Sequence, residues 1–227
     1  MQAIMETIFD VAYLAVVISI GITMCVKAEQ NWGFRLFGIM AIVLGCGDAF
    51  HLLPRAYSLL TGTMSVNVAA LGFGKLVTSI TMTVFYVILY HFMRLRYNIS
   101  ERKQLTMAIY ALAVARIALC LFPQNDWFSI DAPLNWGIYR NIPFVILGIV
   151  LICLSFIEAK KHSDRQFSRA WLAILLSFAF YIPVVLWADA IPLMGMLMIP
   201  KTLCYVWLVT MGFGELRKKL KLKNVSR

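Results

Sequence analysis

The chain has 227 residues, of which 61% are hydrophobic and 14% charged, with 21 Lys and Arg against 11 Asp and Glu. A soluble domain of this size is closer to half apolar and a quarter charged, so the composition argues against a water-soluble globule. The formal charge of +10 does not point to nucleic acid, because the basic residues punctuate the ends of apolar runs instead of gathering on one stripe.

The expected fold class is all-α: a polytopic membrane protein of seven transmembrane helices forming one domain over residues 1–227. A span of about 20 apolar residues covers roughly 30 Å of hydrocarbon. Seven such runs fall at 8–26, 36–54, 68–92, 104–122, 138–157, 170–188 and 194–214. The stretch Met1 to Asp10 carries no Lys or Arg, so it lacks the basic n-region of a cleavable signal and the first span is expected to be retained.

Charge in the connections sets the expected orientation. Lys27 and Arg35 flank the first connection, Arg94, Arg96, Arg102 and Lys103 the third, and Lys160, Lys161, Arg165 and Arg169 the fifth. A short basic tail over 215–227 adds Arg217, Lys218, Lys219, Lys221, Lys223 and Arg227, bringing sixteen of the 21 basic residues to one side. The N-terminus is therefore expected outside and the C-terminus in the cytoplasm of a cell (plasma) membrane protein, its tail resting on anionic lipid. Within the fifth connection, Ser163-Asp164-Arg165-Gln166 has the form of a capping box starting the sixth helix. Pro123 and Pro133 bracket the longest outer loop, whose Trp127 and Trp136 suit a membrane interface.

Helices one to three and five to seven share an orientation, which is compatible with a 3+1+3 parallel repeat. Asp48-Ala49 and Asp189-Ala190, and Gly74-Lys75 and Pro200-Lys201, are its faint sequence echoes. The five cysteines all lie in spans without a C-x-x-C pair, so they read as packing residues and no metal site is expected.

Five basic residues are not used by topology: Arg55, Lys75, Arg116, Arg140 and Lys201. Counted from the basic end of each helix, Asp48, Arg116 and Lys201 stand about 20 Å up. Lys75, Arg140, Asp10 and Asp189 stand nearer the outer mouth, at roughly 25–30 Å. Charges that deep are costly and usually face partners, water or a substrate. Five bases against Asp10, Asp48 and Asp189 leave a cationic surplus in the outer half. A cavity of that character favours a carboxylate, a phosphate or a lipid headgroup.

The candidate ligand-binding set is therefore Asp48, His51, Arg116, Lys201, Tyr205, Arg140, Lys75 and Asp189. Asp48 and His51 are three apart on one helix face, and Lys201 and Tyr205 share a face at i+4. Tyr181, Trp187, Tyr139 and Trp207 are candidate walls for the same cavity. Arg55 continues the Asp48–His51 face only if the helix survives Pro54, and Pro200 is expected to bend the seventh helix. The bland alternative is that Asp48 forms a structural ion pair while Arg55, Lys75, Arg140 and Asp189 snorkel to the interface.

The transporter-like expectation is an outward-facing polar pocket that binds or moves a small anionic solute or lipid headgroup. The alternative is an intramembrane lipid-modifying hydrolase using Asp48, His51 and Asp189. Neither H-x-x-x-H nor H-E-x-x-H occurs, so an intramembrane zinc hydrolase is not indicated. A lysine in the last of seven helices invites a retinal Schiff base, but position 197 is Leu and the third span has no acidic residue. No cofactor is expected. The expected partners are membrane lipids and the anionic solute.

Overall fold

In hydrocarbon, a backbone can satisfy its polar groups only by bonding to itself, and the apolar runs accordingly fold as helices. The structure, a computed structural model, describes residues 2–188 and 190–225. Its helices are α1 (Gln2–Lys27), α2 (Trp32–Thr61), α3 (Val68–Arg96), α4 (Lys103–Leu121), α5 (Leu134–Lys161), α6 (Ala170–Trp187) and α7 (Met198–Val225). Short 3₁₀ turns at Pro123–Asn125 and Pro192–Leu197 precede α5 and α7. Among the described residues, seven helical segments are long and apolar enough to cross a membrane. The chain is a multi-pass helical membrane protein.

Helices adjacent in sequence pack against each other, α7 closes the ring on α1, and α3 also meets α5. One close seam joins α1 to α2. A Cβ on Gly21 would stand 2.9 Å from the carbonyl oxygen of Gly38, and one on Gly38 would stand 2.8 Å from that of Gly21. Glycines set opposite each other let two helix backbones touch in this way. Toward the end where α7 finishes, the core is aromatic. Phe37 meets the edges of Phe92 and Phe167 at centroid distances of 4.7 and 5.8 Å.

Most helices run past the apolar stretch that announces them. α2 starts at Trp32 because the Asn31 side chain accepts the Phe34 N–H at 3.1 Å. It continues through Pro54 to Thr61, where Gly62 takes a left-handed φ of 69° and donates its N–H to the Ser58 carbonyl. Pro54 has no N–H for the Phe50 carbonyl one turn earlier. α3 packs at this point through Gly74, where any Cβ would collide with the Phe50 and His51 backbone.

Two local expectations are corrected. The sixth helix starts at Ala170, and Ser163 does not cap it. Ser163 has a φ of 49° as part of the close of α5, where the Asp164 N–H returns to the Ala159 carbonyl. Asp164 instead holds the turn that precedes α6, accepting the N–H groups of Gln166 at 3.0 Å and Phe167 at 3.2 Å, while the helix itself has no side-chain cap. Pro200 is not a mid-helix kink either. The 3₁₀ turn before it moves the start of α7 to Met198, so proline falls in the first turn, where no helical bond is lost.

The end where α7 finishes, here the C-terminal end, gathers the turns after α1, α3 and α5. Arg96 donates from Nε to Asp164 and from Nη1 to Glu215, joining α3, the α5–α6 turn and α7. Arg102 reaches the buried Glu158 at 2.9 Å, and Lys223 ties the tail to Glu29 at 2.7 Å. Burial works to raise the Asp164 carboxyl, but the hydrogen bonds from Arg96, the Phe167 amide and Tyr97, with the Arg96 charge, hold it below the usual carboxylate range. The Tyr97 hydroxyl is pushed up by burial and by the Asp164 charge beside it.

Candidate functional site

Above this collar, towards the N-terminal end, polar side chains from all seven helices form one connected group. Asp48 on α2 accepts a hydrogen bond from the Tyr13 hydroxyl of α1 at 2.7 Å. Its carboxylate and the Lys201 ammonium of α7 are close enough to attract each other. Lys201 is only 7% exposed, and its Nζ stands 4.4 Å from the ring centre of Tyr181 on α6 and 5.8 Å from that of Tyr205. The Tyr205 hydroxyl lies 3.4 Å from that of Tyr86 on α3, which lies 3.4 Å from the Ser177 hydroxyl on α6.

Arg116 enters from α4 and is 2% exposed. Its guanidinium carbon lies 3.3 Å from the centre of the Phe144 ring on α5. It senses Lys201 as a like charge and Tyr181 and Tyr205 as neighbours. Its Nε and Nη1 are buried and have no hydrogen-bond partner. Arginine carries five N–H donors and cannot shed its charge, so two idle nitrogens at this depth are a large unmet demand for acceptors.

Asp48, Arg116, Lys201 and Tyr205 are thus brought together. The other expected residues are placed apart from this group or in other roles. His51 sits one turn beyond Asp48, but Tyr13 takes the Asp48 hydrogen bond and the buried His51 Nδ1 has no partner. Its charged neighbours are Lys75, Arg55 and Lys201. Lys75 is exposed on α3. Arg140 is committed to the loop before α5, donating to Asn125 at 2.8 Å with its guanidinium 4.1 Å from the centre of a Trp127 ring. Asp189 lies outside the described residues.

Arg55 does not simply snorkel: its Nε donates to Glu6 on α1, so α2 survives Pro54 with this charge paired. Of the four suggested aromatic walls, Tyr181 reaches Lys201, while Tyr139 and Trp187 are about half exposed. Asn141 on α5 extends the group by accepting the Tyr181 hydroxyl at 3.0 Å.

Sequence reading missed Tyr13, Tyr86, Ser177 and Asn141. Tyr13 was findable: it lies one turn after Asp10 on the same face of α1, and that face is buried. Asp10 is itself buried, and its Oδ2 has no partner. Chemically, the group offers a guanidinium and an ammonium on aromatic faces, one carboxylate already held by a phenol, and several neutral hydroxyls. The Arg116 donors in it are short of acceptors, while the Asp10 carboxylate, a neighbour of Asp48, is short of a donor. Among the described residues no group of three or more His, Cys, Asp or Glu is placed to hold a metal ion.

The class of protein this defines is a seven-helix membrane protein with two cationic side chains buried among its helices. Comparison with protein-family models, curated proteins and solved structures finds no match for the chain.

Proposed function

We propose that the bundle binds, and carries across the membrane, a small anionic solute or the anionic part of a lipid headgroup, with Arg116 as its principal anion ligand. The observation that carries this reading is the pair of buried, partnerless nitrogens on Arg116. A carboxylate or phosphate matches the guanidinium fork with two parallel hydrogen bonds. Lys201 supplies a second positive charge, and Tyr205 and Tyr86 supply hydroxyls. Asp48, anchored by Tyr13, offsets one of the two cations, which keeps the empty site tolerable and leaves a net attraction for an anion.

In this reading the basic C-terminal end faces the cytoplasm, the N-terminus lies outside, and the membrane is the cell membrane. α1–α3 and α5–α7 act as two like-oriented units around α4. The charged atoms are enclosed, so an anion reaches them only when helices part towards the N-terminal end. The hydrolase reading has less support, because Tyr13 rather than His51 holds the Asp48 carboxylate.

The test is a melting series on purified protein with simple mono- and dicarboxylates, inorganic phosphate and glycerol phosphate, chloride serving as control. A ligand at a hundred times its Kd stabilises by about 2.7 kcal/mol. One class is expected to raise the melting temperature saturably, to lose that effect in Arg116→Met, and to enter proteoliposomes containing the wild-type chain. A shift that survives in both Arg116→Met and Lys201→Met, or no shift from any anion, overturns the proposal.

A further inference from the structure

A second site lies at the opposite end of the molecule from the buried cations. Between the last turns of α5 and the turn leading to α6 is an open groove of about 430 Å³. Its apolar wall is Phe156 packed edge-to-face on Trp171, with ring centres 5.4 Å apart. Its polar rim carries the exposed cations Lys160 and Arg165 and the exposed hydroxyls of Ser163 and Ser168.

Asp164 also lines the groove, but its carboxylate is engaged by Arg96, Tyr97 and two backbone amides. Among the described residues neither Lys160 nor Arg165 meets a carboxylate in an ion pair, and the rim carries a positive surplus. The groove sits where two apolar spans end, at the level of lipid headgroups.

We propose that this groove is a binding site for an anionic phospholipid, its phosphodiester held between Lys160 and Arg165 and its glycerol and first acyl carbons lying along Phe156 and Trp171. Charge complementarity selects the anionic headgroup, and the aromatic wall selects a lipid over free phosphate, which has nothing to lay against those rings. The volume falls within the range of small-molecule sites. Basic pockets between membrane helices bind such headgroups by the same combination of charge and contact. Ser163 is presented at the rim because the close of α5 holds it at positive φ, and Ser168 stands across the turn.

The test uses the full chain in nanodiscs of phosphatidylcholine containing phosphatidylglycerol with brominated acyl chains. The chain has six tryptophans, so the part of the quenching that is lost in Trp171→Phe reports lipid at the groove. Lys160→Gln with Arg165→Gln is expected to weaken the phosphatidylglycerol dependence about tenfold. Lys219→Gln with Lys221→Gln, which removes two charges from the tail, is expected to leave it within about twofold. Both rim cations are exposed, and an unchanged melting temperature checks that the double variant is folded. Equal quenching by brominated phosphatidylcholine overturns the proposal, as does undiminished binding in the Lys160/Arg165 variant. Displacement by inorganic phosphate alone overturns it as well and reassigns the groove to the free anion.

Discussion

The collar at the C-terminal end and the buried cations of the other half handle charge in opposite ways. At the C-terminal end Arg96, Arg102 and Lys223 each meet a carboxylate, and those contacts tie together turns that are distant in sequence. In the other half, Arg116 and Lys201 are more deeply buried yet rest on aromatic rings, and the one carboxylate near Lys201 is bonded to a tyrosine. Charges that hold a fold together are expected to be matched within the protein. Charges left short of acceptors cost stability, and they persist where something outside the protein completes them.

The contrast breaks first at Asp164. Asp164→Ala removes an ion pair, a tyrosine hydrogen bond and two bonds to turn amides, and is expected to destabilise by about 3 kcal/mol, read by thermal unfolding in detergent. A loss near zero would show that the collar is ornamental.

Arg116→Met is expected to act in the opposite sense. It stabilises the ligand-free protein by about 1–2 kcal/mol, because a buried charge with idle donors is replaced by an apolar side chain, and it abolishes the response to anions. A destabilised Arg116→Met protein would place Arg116 with the structural charges instead.

Tyr13→Phe removes the hydroxyl that anchors Asp48 and is expected to cost about 1 kcal/mol, visible as a lower melting temperature. If the phenol is what keeps Asp48 from saturating Lys201, this variant also weakens anion binding.

The smallest effect is a pH dependence. The native Asp164 carboxyl ionises below its unfolded value of about 3.9, so its contribution is complete above that value and fades as the pH falls through the lower native one. The melting-temperature gap between wild type and Asp164→Asn is expected to be constant near neutrality and to close in strong acid.

Seven spans were legible because hydropathy is a property of composition. Their limits were not, because capping by Asn31, the left-handed Gly62 and the survival of α2 beyond Pro54 depend on local geometry. In the site, Asp48, Arg116 and Lys201 announced themselves by the cost of a charge in hydrocarbon. Tyr86 did not, since a hydroxyl barely alters the apolar character of its helix, and Tyr13 could be found only through its place one turn after Asp10. The spacing of Asp48 and His51 put them on one face but could not reveal that a tyrosine from another helix reaches the carboxylate. Arg140 was legible as a charge near the mouth. That it is bound to Asn125 follows from how the loop after α4 folds back, which spacing does not encode.

The contact of Gly21 with Gly38 constrains how such a molecule can move. Two main chains touching without intervening side chains cannot slide past one another unless oxygen atoms climb over each other, so α1 and α2 travel as a single plank. Any passage to the buried guanidinium must therefore open along seams filled by side chains that can swing, and α4, which carries Arg116 and packs chiefly between α3 and α5, stands on two of them.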